Sequence, residues 1–235
     1  MMKTILLQIN QTGADFLMED PEPVEKTLSV VDIILGGGIG GIVIMGILFV
    51  LSMLAVYIFT ERFQAIKRAN KIDLNFMNHI KDHVSQGRLD AARALCQSSN
   101  SPVALMIEKG INRIGRPLND ISASIENQGK LEIQKLENNL PFLATIAGGA
   151  PMIGFLGTVI GMVLAFSEMA NAGGQVDVGM LAEGIYTAMS TTVAGLAVGI
   201  IAYFGYNYLV ARVEKVIFKL EASATEFLDL LNEPA

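Results

Sequence analysis

APMIGFLGTVIGMVLAF, residues 150–166, decides how this chain is read. The stretch is apolar and uncharged, and it lies inside a longer uncharged run, 140–166. At ~1.5 Å per residue that run reaches ~40 Å as a helix, enough to cross a ~30 Å bilayer core with some tilt. Ala147, Ala150, Gly154, Gly157, Gly161 and Ala165 recur every three or four positions and form one stripe along such a helix. In lipid, small residues in a stripe let helix backbones approach closely. A second uncharged run, 184–210, repeats the pattern with Ala188, Thr191, Gly195, Gly199 and Ala202. Thr158 lies eight residues before Phe166, and Thr192 eight residues after Gly184. If 167–183 joins the two helices, both hydroxyls sit at one depth, ~12 Å from that end. Two hydroxyls at one level on close-packed faces point to a polar ring or pore.

Outward from these runs, 33–59 is a third uncharged stretch and reads as the first span, closed by the interfacial aromatics Tyr57 and Phe59. Its opening GGGIGG, 36–41, is not a nucleotide loop, because no Gly-Lys-Ser/Thr follows and the context is a spanning helix. Close packing or local helix flexibility at a membrane end is the expected explanation. Mean hydropathy is +0.46 and only 17% of residues are charged, which fits an integral membrane protein better than a soluble enzyme. The net charge of −6 decides little, because charge is strongly partitioned along the chain; there is no basic patch with interleaved aromatics, so no nucleic-acid partner is implied.

The resulting fold class is an all-α membrane protein of three transmembrane helices, with long helices extended into the cytoplasm and a periplasmic N-terminus. Of 17 Lys and Arg, 12 lie in 61–139 and three in 211–235, so the positive-inside rule sets this orientation. The organisation expected is a periplasmic N-terminal segment 1–30, transmembrane helix 31–60, a cytoplasmic helical domain 61–139, transmembrane helix 140–166, a periplasmic connection 167–183, transmembrane helix 184–210 and a cytoplasmic C-terminal helix 211–235. Residues 1–30 start like a signal peptide but show no small-residue cleavage site, and five acidic residues follow, so they read as a retained surface segment. In the cytoplasmic domain, Ser101-Pro102 reads as a helix start, with Ser as N-cap and Pro at the first position. The stretch 118–139 should run unbroken into the second span, bent only at Pro141 and Pro151.

Two motifs read as structure. His79 and His83 have ligand spacing, but no third histidine exists and Cys96 is the one cysteine, so a solvated helix face is expected and no metal site. Cys96 itself reads as a buried structural thiol. Nor do the residues supply a nucleophile–base pair, so no enzyme activity is expected.

APMIGFLGTVIGM followed by GIYTAMSTTVAGLAVGIIAYFGYN resembles the diagnostic segments of the ExbB/TolQ/MotA proton-channel family, and most the ExbB branch. The likeness rests on Pro151, Gly157-Thr158-Val159, Thr192 with Gly195-Leu196, and Tyr206-Asn207. It implies a homo-oligomer of five copies in a bacterial inner membrane, around a single-span ExbD/TolR-like partner whose aspartate titrates. Thr158, Thr192, Thr191 and Thr187 would line the proton pathway. Pro151, Gly154, Gly157, Gly161, Gly195 and Gly199 would serve helix packing. No cofactor is implied, with protons as the coupling ion. A TonB-like protein would be driven, energising outer-membrane transport; a TolQ-like role in envelope maintenance and a non-conducting membrane scaffold are the alternatives. The three uncharged runs agree with this division of labour, since threonine does not titrate in the relevant range. The family carries a Glu five residues before the position of Thr192, where this chain has Thr187. Glu183, one turn earlier on that face, is the possible entrance carboxylate on the outer side.

Overall fold

A computed structural model describes residues 38–70, 75–99, 101–171 and 178–232. The N-terminal segment 1–30, the first glycines of GGGIGG and the middle of the 167–183 connection lie outside the described residues. Every regular element described is a helix: α1 (Gly38–Ala69), α2 (Phe76–Ser85), α3 (Leu89–Ser99), α4 (Pro102–Ile111), α5 (Leu118–Glu137), α6 (Leu140–Asn171) and α7 (Val178–Asn232). Three stretches are long and apolar enough to cross a membrane, in α1, α6 and α7. In α6 the first turn holds no acidic side chain and the last turn no basic one, and from Leu140 to Phe166 apolar residues face all sides, as lipid surroundings require. The 55 residues of α7 extend ~80 Å, far more than a bilayer core, so its second half projects into water.

That projecting half is the spine of the helical domain. Phe227 of α7 is fully buried with Ile107 of α4 and Ile125 of α5. A Cβ on Gly110 would come within 2.8 Å of both Ile125 and Phe227, so α4 sits tightly between α5 and α7. Ser101 caps α4: its hydroxyl accepts from the Ala104 N–H at 3.2 Å, with Pro102 in the first turn.

The expectation of one unbroken helix from 118 into the second span is corrected. The chain leaves helical geometry at Asn138 (φ −52°, ψ 139°) and Asn139 (φ 63°), between α5 and α6. Pro141 accounts for it: its ring excludes the carbonyl four residues back, and its missing N–H suits the second position of a new helix. Asparagine tolerates the left-handed conformation better than most residues. The end of α5 is held by Arg62, buried at 8% exposure, whose Nη1 donates to the Lys135 carbonyl at 3.0 Å. Pro151, by contrast, lies inside α6, which continues through it.

Candidate functional site: the α6–α7 seam

The two small-residue stripes meet each other within one chain. As numbers rise along α6 they fall along α7: Pro151 faces Gly199, Gly154 faces Gly195 and Thr191, Gly157 faces Thr191, Gly161 faces Ala188, and Ala165 faces Gly184. A Cβ on Gly195 would come within 2.6 Å of the Ala150 carbonyl oxygen and 2.9 Å of the Gly154 Cα. One on Gly154 would come within 2.7 Å of the Thr191 carbonyl oxygen. These distances admit no side chain, so the two backbones are in direct contact, as lipid-embedded helices require when apolar burial gives no drive to associate.

Hydroxyl groups gather at the middle of this seam. Thr191 is buried, and its Oγ1 is 2.7 Å from the Ala188 carbonyl and 3.1 Å from the Gly154 carbonyl across the seam. Thr192 is half-buried and donates to the same Gly154 carbonyl at 3.0 Å. Thr158, also half-buried, donates within its own helix to the Phe155 carbonyl at 2.6 Å. Gly157 faces Thr191 in an antiparallel pair, so Thr158 and Thr192 step to either side of that level and lie within ~3 Å of one depth. No hydrogen bond joins them. Ser190 donates back to the Thr187 carbonyl at 2.6 Å, and Thr187 to the Glu183 carbonyl. Such back-bonding satisfies a hydroxyl in apolar surroundings.

The candidate residues fall on two flanks of the seam. A cavity of about 260 Å³ opens where α1 meets α6 and α7, lined by Gly40, Gly157, Glu168, Glu183, Thr187 and Thr191 among others. Thr158 and Thr192 do not line it. Each stands ~100° further round its helix than Gly157 or Thr191, and in an antiparallel pair both turns lead to the same, opposite flank. Thr191 and Thr192, meeting at the Gly154 carbonyl, connect the flanks. Glu183 and Glu168, both exposed, stand at the mouth of the cavity at the α6–α7 connection end. Glu168 has no place among the residues picked from sequence; the carboxylates of the 167–183 connection besides Glu183, Glu168 and Asp177, were the available signal. Asn207 is tied to its own helix, donating to the Tyr203 carbonyl at 2.8 Å. In the helical domain, His79 is exposed and His83 half-buried on α2, and Cys96 is fully buried.

Comparison with known proteins fits this geometry. Residues 98–222, more than half the chain, match the MotA/TolQ/ExbB proton channel family. A putative biopolymer transport protein ExbB homolog of Methanothermobacter thermautotrophicus is 31% identical over 180 residues, 74% of this chain and 63% of that protein. The Tol-Pal system protein TolQ of Haemophilus influenzae is 39% identical over 104 residues, 44% of this chain and 45% of its own length. The biopolymer transport protein ExbB of Aquifex aeolicus is 35% identical over 111 residues, 46% of this chain and 74% of its own. The chain thus spans less than two thirds of the first two relatives. The matched region takes in α4, α5, α6 and the α6–α7 seam with all its threonines, and this multi-pass membrane protein belongs to the MotA/TolQ/ExbB proton channel family.

Proposed function

We propose that the chain is the scaffold subunit of an inner-membrane stator driven by the proton motive force. Five copies surround the helices of a single-span ExbD/TolR-like partner, and protons are the coupling ion. The N-terminus and the 167–183 connection face the periplasm, and the helical domain and the end of α7 face the cytoplasm; the distribution of Lys and Arg supports this. The observation that carries the reading is the level pair Thr158 and Thr192, half-buried on one flank of a seam whose spans hold no carboxylate, histidine or basic residue. Hydroxyls order water and donate to a carboxylate but cannot replace it, so the titrating aspartate belongs to the partner. Protonation and release of that aspartate bias rotation of the partner helices inside the ring, and a TonB-like protein transmits the motion to outer-membrane transporters. On the other flank, Glu183 gathers protons at the outer mouth, and Thr187 and Thr191 continue that path to the seam.

Likeness to TolQ relatives supports a second reading, a motor for envelope maintenance with the same proton chemistry. Deletion of the gene separates the two: loss of TonB-dependent uptake marks the first, detergent sensitivity with uptake intact marks the second. The proton path is tested by flux into vesicles holding the complex with its single-span partner. Thr192→Val removes the hydroxyl at nearly constant shape and should lower flux about tenfold or more, the effect of losing one hydrogen bond to a charged group at ~1.5–3 kcal/mol. Wild-type flux in Thr192→Val and Thr158→Val together would defeat the reading.

A further inference from the structure

α1 and α7 run side by side in parallel: Gly205 lies against Phe59, Tyr208 against Phe59 and Phe63, and Lys219 against Asn70. Between them lies an apolar groove of about 680 Å³ lined by Ala55, Phe59, Leu143, Ile201, Phe204 and Gly205. Gly205 makes its floor, since a Cβ there would come within 3.1 Å of the Phe59 ring. One turn nearer the helical domain, a second cavity of about 150 Å³ is lined by Phe63, Lys67, Asn70, Arg212 and Lys215. The aromatic cluster of Phe59, Phe63 and Tyr208, with ring centroids 6.1 to 6.4 Å apart, forms the wall between them. Arg212 is fixed on that wall, its guanidinium 5.2 Å from the Tyr208 ring centre and its Nη2 donating to the phenol oxygen at 2.8 Å.

The second cavity is basic and uncompensated. Lys67, Arg212 and Lys215 line it, no carboxylate does, and among the described residues none of the three is paired with an acidic side chain. Lys219 stands at its far edge, donating to Asn70 at 2.6 Å. Three cations around one small cavity repel each other unless an anion joins them. From Ala55 to Lys67 the helix rises ~18 Å, close to the ~15 Å depth of one leaflet's hydrocarbon. Apolar groove, aromatic wall and cationic pocket thus follow the order of acyl chain, glycerol and phosphate in a phospholipid.

We propose that this groove binds one anionic phospholipid per subunit, an acyl chain along Phe59 and Gly205 and the phosphate among Lys67, Arg212 and Lys215. The site does not depend on the proton-pathway reading; the proposed orientation only names the leaflet as cytoplasmic. Bound there, the lipid would clamp α1 to the point where α7 leaves the membrane.

The test is native mass spectrometry of the full complex, stripped of lipid and then exchanged into nanodiscs of phosphatidylcholine with a minority of phosphatidylglycerol. The wild type should retain phosphatidylglycerol at one per subunit and no phosphatidylcholine. Lys67→Gln, Arg212→Gln and Lys215→Gln together should weaken retention by about fivefold per charge removed. Ile201→Trp, which fills the apolar groove with the charges intact, should also lose the lipid. Lys81→Gln, Arg113→Gln and Lys130→Gln, an equal loss of charge on the exposed helical domain, should leave retention unchanged. If the triple variant does not assemble, Lys67→Gln alone decides. Equal retention of the two lipids, unchanged retention in the groove variants, or equal loss in the control overturns the proposal, as would a polypeptide segment found in the groove.

Discussion

The molecule solves helix packing in two ways, and the contrast lies along a single helix. In its membrane half, α7 meets α6 through Gly154, Gly195, Gly161 and Ala188, with backbone atoms in contact and hardly a side chain between. In its aqueous half, the same helix buries the large side chains Val216, Leu220 and Phe227, all at most 1% exposed, with Phe227 packed against α4 and beside Ile125 of α5. Water makes burial of large apolar groups the driving force, so the aqueous core is built of size. Lipid tails are as apolar as leucine, so the seam is built of close approach and of hydroxyls satisfied on carbonyls. A site made of threonines belongs in the second kind of interface, where a hydroxyl already faces a backbone oxygen, as Thr191 and Thr192 face Gly154.

The contrast predicts opposite sensitivities. Phe227→Ala should have the largest effect, about 3–5 kcal/mol of lost stability in the helical domain, read as a lower thermal midpoint; a loss below ~1 kcal/mol would mean that Phe227 does not hold this core. In the seam the sign reverses with size. Gly195→Ala adds one methyl where 2.6 Å is free, and should cost about 1–3 kcal/mol and weaken ring assembly. Gly148→Ala, in the same helix pair where nothing lies within 4 Å, should stabilise by about 0.5–1 kcal/mol. Equal effects of the two, measured by resistance to unfolding in detergent, would end the close-approach account. The smallest effect concerns Cys96. Burial, with Glu108 adding to it, pushes its thiol from 9.0 up to about 12. Folded protein should therefore react slowly with alkylating reagents even at pH 9, where about half or more of an ordinary thiol is thiolate. Fast labelling at that pH without unfolding would show that the domain opens around α3.

Much of this was legible in the sequence because it depends on local pattern. Uncharged runs mark the spans, and Ser101-Pro102 marks the start of α4, since a cap needs only neighbouring residues. The break at Asn138–Asn139 was less so. The Pro141 signal is weak alone, and the donor that holds the end of α5, Arg62, comes from 73 residues away. The two-flank arrangement shows a similar limit. Counting along an axis places Thr158 and Thr192 at one depth. It does not say what each faces, which only the α6–α7 register supplies. Thr187 and Thr192 are five residues apart and so ~140° apart round the helix. Thr187 and Glu183 therefore face the cavity beside α1, together with Glu168, while Thr192 opens to the other flank.

The most direct measurement is the mass and composition of the complex extracted gently from its native membrane. Five copies of this chain enclosing a single-span protein with an aspartate in its membrane helix are predicted, because the seam offers hydroxyls and no group that titrates. A ring with no such companion would leave the spans without a proton carrier and contradict the account.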